Sequence, residues 1–339
     1  MRVAVDGRAL RPGAPRARGV ARYLRSVLEQ LERLFPDDEY DPVDPGRLRL
    51  LSAALTRRPR LDGLTAGSDV VWLPAPAPVA VSSSVPYVLT VHDLSFEHRP
   101  LDYSAYDRLW HRLARPGRLA RGAALVLCVS DATREAAIRA WDLDPDRTRT
   151  VLSGPGRSHG KVSRRTRDFP NGYFLAVGAL EPRKLPSALV AGHRRARAQG
   201  LRAELVFAGD GPLRSKLEGT GATLLGHVSD EELDSLYSSA LAVACVSREE
   251  GFGFTPLEAA ARGTPAIVAD LPVFDETFGD AAVRVPVGDP GALAAALLRL
   301  EQEPDFREKL AADAQAAVGR LSWERAAQET RAALLEAAS

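Results

Sequence analysis

The stretch Ser247–Pro265, S-R-E-E-G-F-G-F-T-P-L-E-A-A-A-R-G-T-P, limits the fold of this chain more than any other. It follows an apolar run, Leu241 to Val246, that reads as a buried parallel strand. A loop with Gly251 and Gly253 comes next. Thr255-Pro256-Leu257-Glu258 then opens a short helix through Arg262, which Gly263 stops, and Pro265 to Ala269 reads as the next strand. Strand, glycine loop, helix, strand is a parallel α/β unit. Its glycines let backbone N–H groups approach a ligand, and the N-terminus of the following helix favours negative charge. Two carboxylates, Glu250 and Glu258, flank the loop with seven residues between them. Taken singly, Thr255 with Glu258 is a capping box with Pro256 at the first helical position, and Glu250 is a loop acid beside Glu249. Neither explains a Phe on both sides of Gly253, or a carboxylate just before the loop.

Composition sets the outer limits. The 339 residues, 45% hydrophobic and 26% charged, suffice for two domains with their own cores. A formal charge of +1 speaks against nucleic acid as a partner and against broad membrane adhesion. Only Lys161, Lys184, Lys216 and Lys309 are lysines; with abundant Ala and Pro this looks like high-GC bacterial codon usage, so the arginine count alone signals no function. Cys128 and Cys245 sit in apolar runs and read as buried thiols, not as a disulfide or a metal site. No stretch is apolar for long enough to span a bilayer, and the N-terminus opens directly on a strand, so a cytoplasmic protein is expected.

Two series of strands and helices lie on either side of an irregular segment. Met1–Val5 reads as a strand, Asp6–Arg18 as a loop with Gly7, Gly13 and four arginines, and Gly19 to about Phe35 as a helix. That loop lacks G-x-G-x-x-G, so no dinucleotide site is inferred. Asp37–Gly67 is uninformative apart from one helix near Leu48–Leu55. Strands follow at Asp69–Leu73, Tyr87–Val91 and Ala124–Ser130, the last leading into a helix from Asp131 to Trp141. His92 and Asp93 leave the second of these strands at its carboxyl end, where open α/β sheets bind ligands. Asp93 is placed to orient the imidazole or to take a proton from an acceptor hydroxyl, while a plain turn pair is the simpler reading. Arg108, Arg112, Arg115, Arg118 and Arg121 accompany Leu109, Trp110 and Leu113, with Pro116-Gly117 as a break. A surface helix is the first reading, and weak peripheral contact with the inner membrane face is the alternative.

Val151–Asn171 has no hydrophobic period and reads as a linker. A second series begins with a strand at Tyr173–Val177, running into Gly178-Ala179-Leu180-Glu181-Pro182-Arg183-Lys184. Two cations at a strand end suit a diphosphate, Arg as a bidentate fork and Lys as a point charge. Further strands are read at Glu204–Gly211 and Leu224–Val228, with helices from Asp230, over Leu293–Leu300, and over Trp323–Ala338.

The opening string resembles the donor-site motif of the retaining GT-B glycosyltransferases of family 4, the group 1 glycosyltransferases, mannosyltransferases among them. It matches as Glu250-Gly251-Phe252-Gly253, Pro256-Leu257-Glu258-Ala259 and Gly263-Thr264-Pro265. G-V-A-R-Y from Gly19, V-H-D-L-S-F from Val91, V-S-D-A-T from Val129, G-A-L-E-P-R-K from Gly178 and F-A-G-D-G from Phe207 resemble the same family in the same order, over nearly the whole chain. The resemblance implies two facing Rossmann-like domains with a cleft between them. Residues 1–155 form the acceptor side, 156–171 the linker, 172–322 the nucleotide-sugar domain, and 323–339 a helix crossing back to the first. It implies a retaining, metal-independent hexosyl transfer with no cofactor and a GDP-, UDP- or TDP-sugar as co-substrate. The acceptor is a saccharide, a lipid-linked intermediate or a small natural product.

The same resemblance implies residue roles. Arg183 and Lys184 hold the diphosphate, with the N–H groups of Gly251, Phe252, Gly253 and Phe254 and with Thr255 beside them. Glu250 holds the donor sugar hydroxyls and Glu258 the ribose. Gly178 and Gly209 line the donor site, and the backbone at His227 and Val228 reads the base. Gly19, Arg22 and Ser130 face the cleft as donor-binding residues, and His92 and Asp93, counted with Arg183, Lys184 and Glu250 as the catalytic set, shape the acceptor side. Four positions depart from the family pattern: Ala21 and Ser153 replace Gly and Asn, Ala179 stands where some members have Arg, and Leu185 where many have Asn. A catalytically silent partner subunit and a nucleotide-sugar epimerase of similar fold are the alternatives.

Overall fold

A computed structural model describes residues 1–11, 18–44, 67–80, 84–156 and 169–339. The helix expected near Leu48–Leu55, Gly13, and most of the expected linker lie outside these residues. The chain divides into two compact units, one of residues 1–154 with 322–339 and one of residues 155–321.

The first unit holds a six-stranded sheet of β1 (Arg2–Asp6), β2 (Glu39–Val43), β3 (Val70–Leu73), β4 (Tyr87–Val91), β5 (Leu125–Cys128) and β6 (Thr148–Thr150). Their order is β2-β1-β3-β4-β5-β6, and every pairing is parallel. Strands β3 and β5 are buried along their whole length. Their unbroken apolar runs follow from helices covering both faces of a parallel sheet. Helix α1 (Arg18–Leu34) turns Tyr23, Leu24, Val27, Leu28 and Leu31 inward, all at 5% exposure or less. Helices α2 (Ala105–Ala114) and α3 (Asp131–Trp141) follow β4 and β5. At the far end of the chain, α9 (Trp323–Ala338) packs on α1. Asp38 anchors it, accepting from Arg331 Nε at 2.6 Å and from the Met1 amino group at 3.1 Å.

The second unit holds β7 (Tyr173–Val177), β8 (Glu204–Ala208), β9 (Thr223–Gly226), β10 (Ala242–Cys245), β11 (Ala266–Ala269) and β12 (Val283–Val285). Their order is β12-β11-β10-β7-β8-β9, again all parallel. Counted within the unit this is 3-2-1-4-5-6, the doubly wound nucleotide-binding order. The crossovers run through α4 (Pro186–Ala198), α5 (Asp230–Ser239) and α6 (Phe254–Ala260), and α7 (Pro290–Gln302) and α8 (Pro304–Val318) complete the unit. Helices α4 and α7 pack on each other. Phe174, Leu205, Phe207, Ile267, Leu293 and Leu297 meet in the core on one side of the sheet.

Candidate functional site

In the second unit β7 and β10 are neighbours whose following connections leave in opposite directions along the sheet. A crevice opens outside the carboxyl ends of two such strands. The loop after β7 carries Gly178 to Leu185, and the loop after β10 carries Val246 to Gly253. A backbone bond joins them, Arg248 N–H donating to the Arg183 carbonyl at 2.8 Å.

Glu250 is where the two loops meet through their side chains. The Lys184 ammonium donates to its Oε1, as do the Ser247 hydroxyl at 2.7 Å and the Cys245 thiol at 3.6 Å. Among the described residues Lys184 has no other partner and Glu250 Oε2 has none. Burial pushes the Glu250 carboxyl up, but the Lys184 ammonium and Arg183 guanidinium pull harder and hold it at about 2. Glu250 therefore stays charged across the physiological range. The pair is largely desolvated, with Lys184 22% and Glu250 12% exposed, so removing either partner strands a charge. Arg183 also meets Glu181 at 3.3 Å. Burial, reinforced by Glu250, pushes the Cys245 thiol up to about 12, which leaves it a packing group and a weak donor.

The two phenylalanines of the loop belong to its packing. Phe252 is buried and lies 5.1 Å from the Phe254 ring. Gly253 has φ +80, and a Cβ there would stand 2.5 Å from the Phe274 ring. Gly253 is also the N-terminal boundary residue of α6, with no side chain capping it. This overturns the capping-box reading. The left-handed glycine starts the helix at Phe254, so Thr255 and Pro256 lie inside the first turn.

Glu258 projects from α6 and is 4% exposed. Its Oε2 accepts from Tyr237 Oη at 2.8 Å. Arg262 donates to the Glu258 carbonyl at 2.7 Å, pairs with Asp234, and lies 5.3 Å from the centre of the Tyr237 ring. Thr264 Oγ1 donates to the Tyr237 carbonyl at 2.6 Å. Gly156 packs against the same carboxylate, since a Cβ at that position would stand 2.1 Å from Glu258 Cγ.

The exits of β7, β8 and β9 are laced together. Gly178 N–H donates to Ala208 O at 3.0 Å and Gly209 N–H to Gly226 O at 2.7 Å. A Cβ on Gly209 would stand 2.0 Å from the Gly178 carbonyl, so this approach requires glycine. His227, exposed, and Val228, half-buried, follow directly.

In the first unit, His92 Nε2 lies 2.8 Å from the Pro74 carbonyl. A carbonyl only accepts, so Nε2 carries the proton and the neutral ring keeps Nδ1 as an acceptor. Burial lowers the His92 pKa, more than the Pro74 bond and Asp93 raise it. Asp93 Oδ1 accepts from the Ser95 N–H at 3.0 Å and the Ser95 hydroxyl at 2.6 Å, and that hydroxyl also bonds Tyr103 Oη. Ser130 is fully buried and its hydroxyl caps α3, accepting from Thr133 N–H at 3.0 Å. Gly19 and Arg22 lie in the first turns of α1, the former exposed and the latter half-buried.

Within the second unit the structure therefore brings Arg183, Lys184, Glu250 and the Gly251–Phe254 loop together, and sets Glu258 in a separate buried network. Sequence reasoning missed Ser247, Tyr237, Asp234 and Arg262. Ser247 had a signal, a hydroxyl just past a strand and three residues before Glu250. Tyr237 and Asp234 lie on α5, remote in sequence from Glu258, and carried none.

Comparison with known proteins gives consistent matches. Residues 165–317 match the family described as glycosyl transferases group 1, and residues 9–154 match glycosyltransferase family 4. The O-antigen chain mannosyltransferase B of Escherichia coli is 30% identical over 72% of this chain and 68% of its own length. The O-antigen chain mannosyltransferase RfbU of Salmonella typhimurium is 30% identical over 64% of this chain, but the match spans only 61% of that protein. Among solved structures, HepE of Anabaena in complex with UDP and glucose aligns over 98% of this chain and 99% of its own. Its TM-score is 0.67 at 19% identity, which is a likeness of fold.

Proposed function

From the premise that the chain belongs to the group 1 glycosyltransferases and carries their two-unit GT-B fold, we propose that it moves a hexose from a nucleoside-diphosphate donor to an acceptor hydroxyl, with retention and without a metal. The observation that carries this reading is the convergence of Lys184, Arg183 and Glu250 at the β7–β10 switch point. Cleaving the glycosidic bond puts negative charge on the diphosphate and positive charge on the sugar ring. Lys184, Arg183 and the N–H groups of Gly251 to Phe254 stabilise the first, and the charged Glu250 holds sugar hydroxyls and favours the second. Glu258 takes the ribose hydroxyls, and the backbone at His227 and Val228 takes the base. His92 Nδ1 and Asp93 serve the acceptor side. No residue is assigned as a covalent nucleophile; a donor phosphate oxygen takes the acceptor proton.

The mannosyltransferase relatives, one of them GDP-mannose-dependent, and the UDP- and glucose-bound neighbour support a hexosyl donor, with GDP or UDP as the first nucleotides to try. Among the described residues no helix is long and apolar enough to cross a membrane. On and beside α2, Leu101, Tyr106 and Leu109 are exposed at 87%, 58% and 54%, beside Arg108, Arg112 and Arg115. This supports peripheral contact with an anionic membrane and an acceptor presented there.

The test is nucleotide release from UDP-, GDP- and TDP-sugars with and without lipid-linked and soluble saccharide acceptors, with the product anomer read by proton NMR. Acceptor-dependent release with retained configuration is expected, and Lys184→Ala should lower kcat by about 10²–10³-fold. A changed sugar without acceptor would establish an epimerase instead, and no turnover under any condition a silent subunit.

A further inference from the structure

The ammonium assigned to the diphosphate is already committed to a carboxylate. Lys184 donates to Glu250 Oε1, and that same oxygen takes the Ser247 hydroxyl and the Cys245 thiol, while Oε2 is left to meet a ligand. A bare nucleoside diphosphate brings only negative charge to this arrangement. It must draw Lys184 away from Glu250 and then sit beside a carboxylate that has lost its counter-ion in a largely desolvated place. A nucleoside-diphosphate sugar brings hydroxyls as well. These donate to Glu250 and replace the hydrogen bond that the ammonium gives up, and a buried polar group is costly only while it lacks such a partner.

The geometry points to Glu250 as the residue that sets this site's preference for the intact nucleotide sugar over the bare nucleoside diphosphate, by competing with the diphosphate for Lys184. This rests on the donor-site reading above and adds a consequence to it. A carboxylate that only positioned the sugar would leave binding of the nucleotide product unaffected. One that competes for Lys184 weakens the product's hold and speeds its release after transfer. Ser247 takes part by fixing the carboxylate at Oε1, facing the ammonium. The other charged group that faces Glu250 is Arg183, which shares its charge with Glu181. Lys184, with no second partner among the described residues, is the one that can transfer completely.

The experiment is calorimetric titration of UDP and GDP, and of the matching nucleotide sugar, into the wild type, Glu250→Gln and Lys184→Ala. In Glu250→Gln the bare nucleotide should bind about tenfold tighter, while the nucleotide sugar gains nothing and turnover falls. Tighter binding of a product to a crippled enzyme is an outcome that general damage to the site cannot produce. Weaker or equal nucleotide affinity in this variant overturns the inference. The wild type alone gives a second check should the variant fold poorly: the intact donor should bind about tenfold more tightly than its own nucleotide, and the reverse order also overturns it. Lys184→Ala separates the two levels. If it leaves nucleotide affinity unchanged, the donor-site reading itself fails. If it abolishes binding while Glu250→Gln weakens it, the site stands and the competition does not.

Discussion

Two glycines of the donor loop and its helix provide a controlled measurement of what the loop geometry costs to build. Gly253 and Gly263 have nearly the same backbone conformation, φ +80 and +77, at opposite ends of α6. They differ in surroundings. A Cβ on Gly263 meets nothing within 4 Å, whereas one on Gly253 stands 2.5 Å from Phe274 Cε1 and 3.2 Å from Cζ. Phe274 is fully buried and cannot swing aside freely. Gly263→Ala therefore carries only the left-handed penalty of about 1–2 kcal/mol, reduced by the lower entropy of the unfolded alanine chain, for a net loss of about 1 kcal/mol. Gly253→Ala carries the same penalty and about 1–3 kcal/mol of overpacking besides. Its net loss should be about 3 kcal/mol, and the second unit should melt roughly 6–12 °C lower, against roughly 2–4 °C for Gly263→Ala. Calorimetry of both variants reads these shifts, and nucleotide titration reads the loop. Affinity should drop in Gly253→Ala and hold in Gly263→Ala. Equal destabilisation by the two substitutions would refute the close packing of the loop on Phe274.

Other consequences can be read in simpler assays. Leu185 is a non-glycine residue at φ +52 between the loop and α4, so Leu185→Asn should raise stability by about 0.5–1 kcal/mol in denaturant titration, and a loss would show that its side-chain packing outweighs the strain. Burial lowers the pKa of His92, His111 and His193, so the unfolded chain takes up protons first. Stability should be full above about pH 6.5 and fall toward pH 5, while Asp38 and Glu250, whose pKa values are lowered, begin to contribute losses only below about 4.5; a flat profile from 6.5 to 5 contradicts this. Ser substitutions at Leu101, Tyr106 and Leu109 should abolish flotation with anionic vesicles and leave transfer to a soluble acceptor unchanged, and undiminished flotation would remove that surface from the account.

The sequence revealed the interior strands and one edge strand, β9, and hid the other three edges. The strands β3, β4, β5, β7, β10 and β11 were all legible, because burial on both faces forces continuous apolar runs. The missed strands β2, β6 and β12 all lie at sheet edges, where one partner and much solvent permit E-Y-D-P-V, T-R-T and V-R-V. Helix α8 was missed as well; its small, evenly spread Ala residues give little amphipathic contrast. At the site, the motif located Glu250, Lys184 and Arg183 but not the pairing of Lys184 with Glu250 Oε1, two residues 66 positions apart that a long loop must bring together. It misassigned the helix start, because Thr255 and Glu258 suit a capping box locally while the left-handed turn at Gly253 is fixed by Phe274, a contact 21 residues away. The Tyr237–Glu258–Arg262–Asp234 network was invisible for the same reason.

The central claim is that a nucleoside diphosphate is held at the β7–β10 switch point by Lys184. Thermal unfolding with UDP, GDP, TDP and ADP, for the wild type and for Lys184→Ala, tests it most directly. At about a hundred times its dissociation constant, one nucleotide should stabilise the wild type by roughly 2.7 kcal/mol, a rise of several degrees, and the rise should vanish in Lys184→Ala. No rise with any of the four, or an equal rise in both proteins, would contradict it.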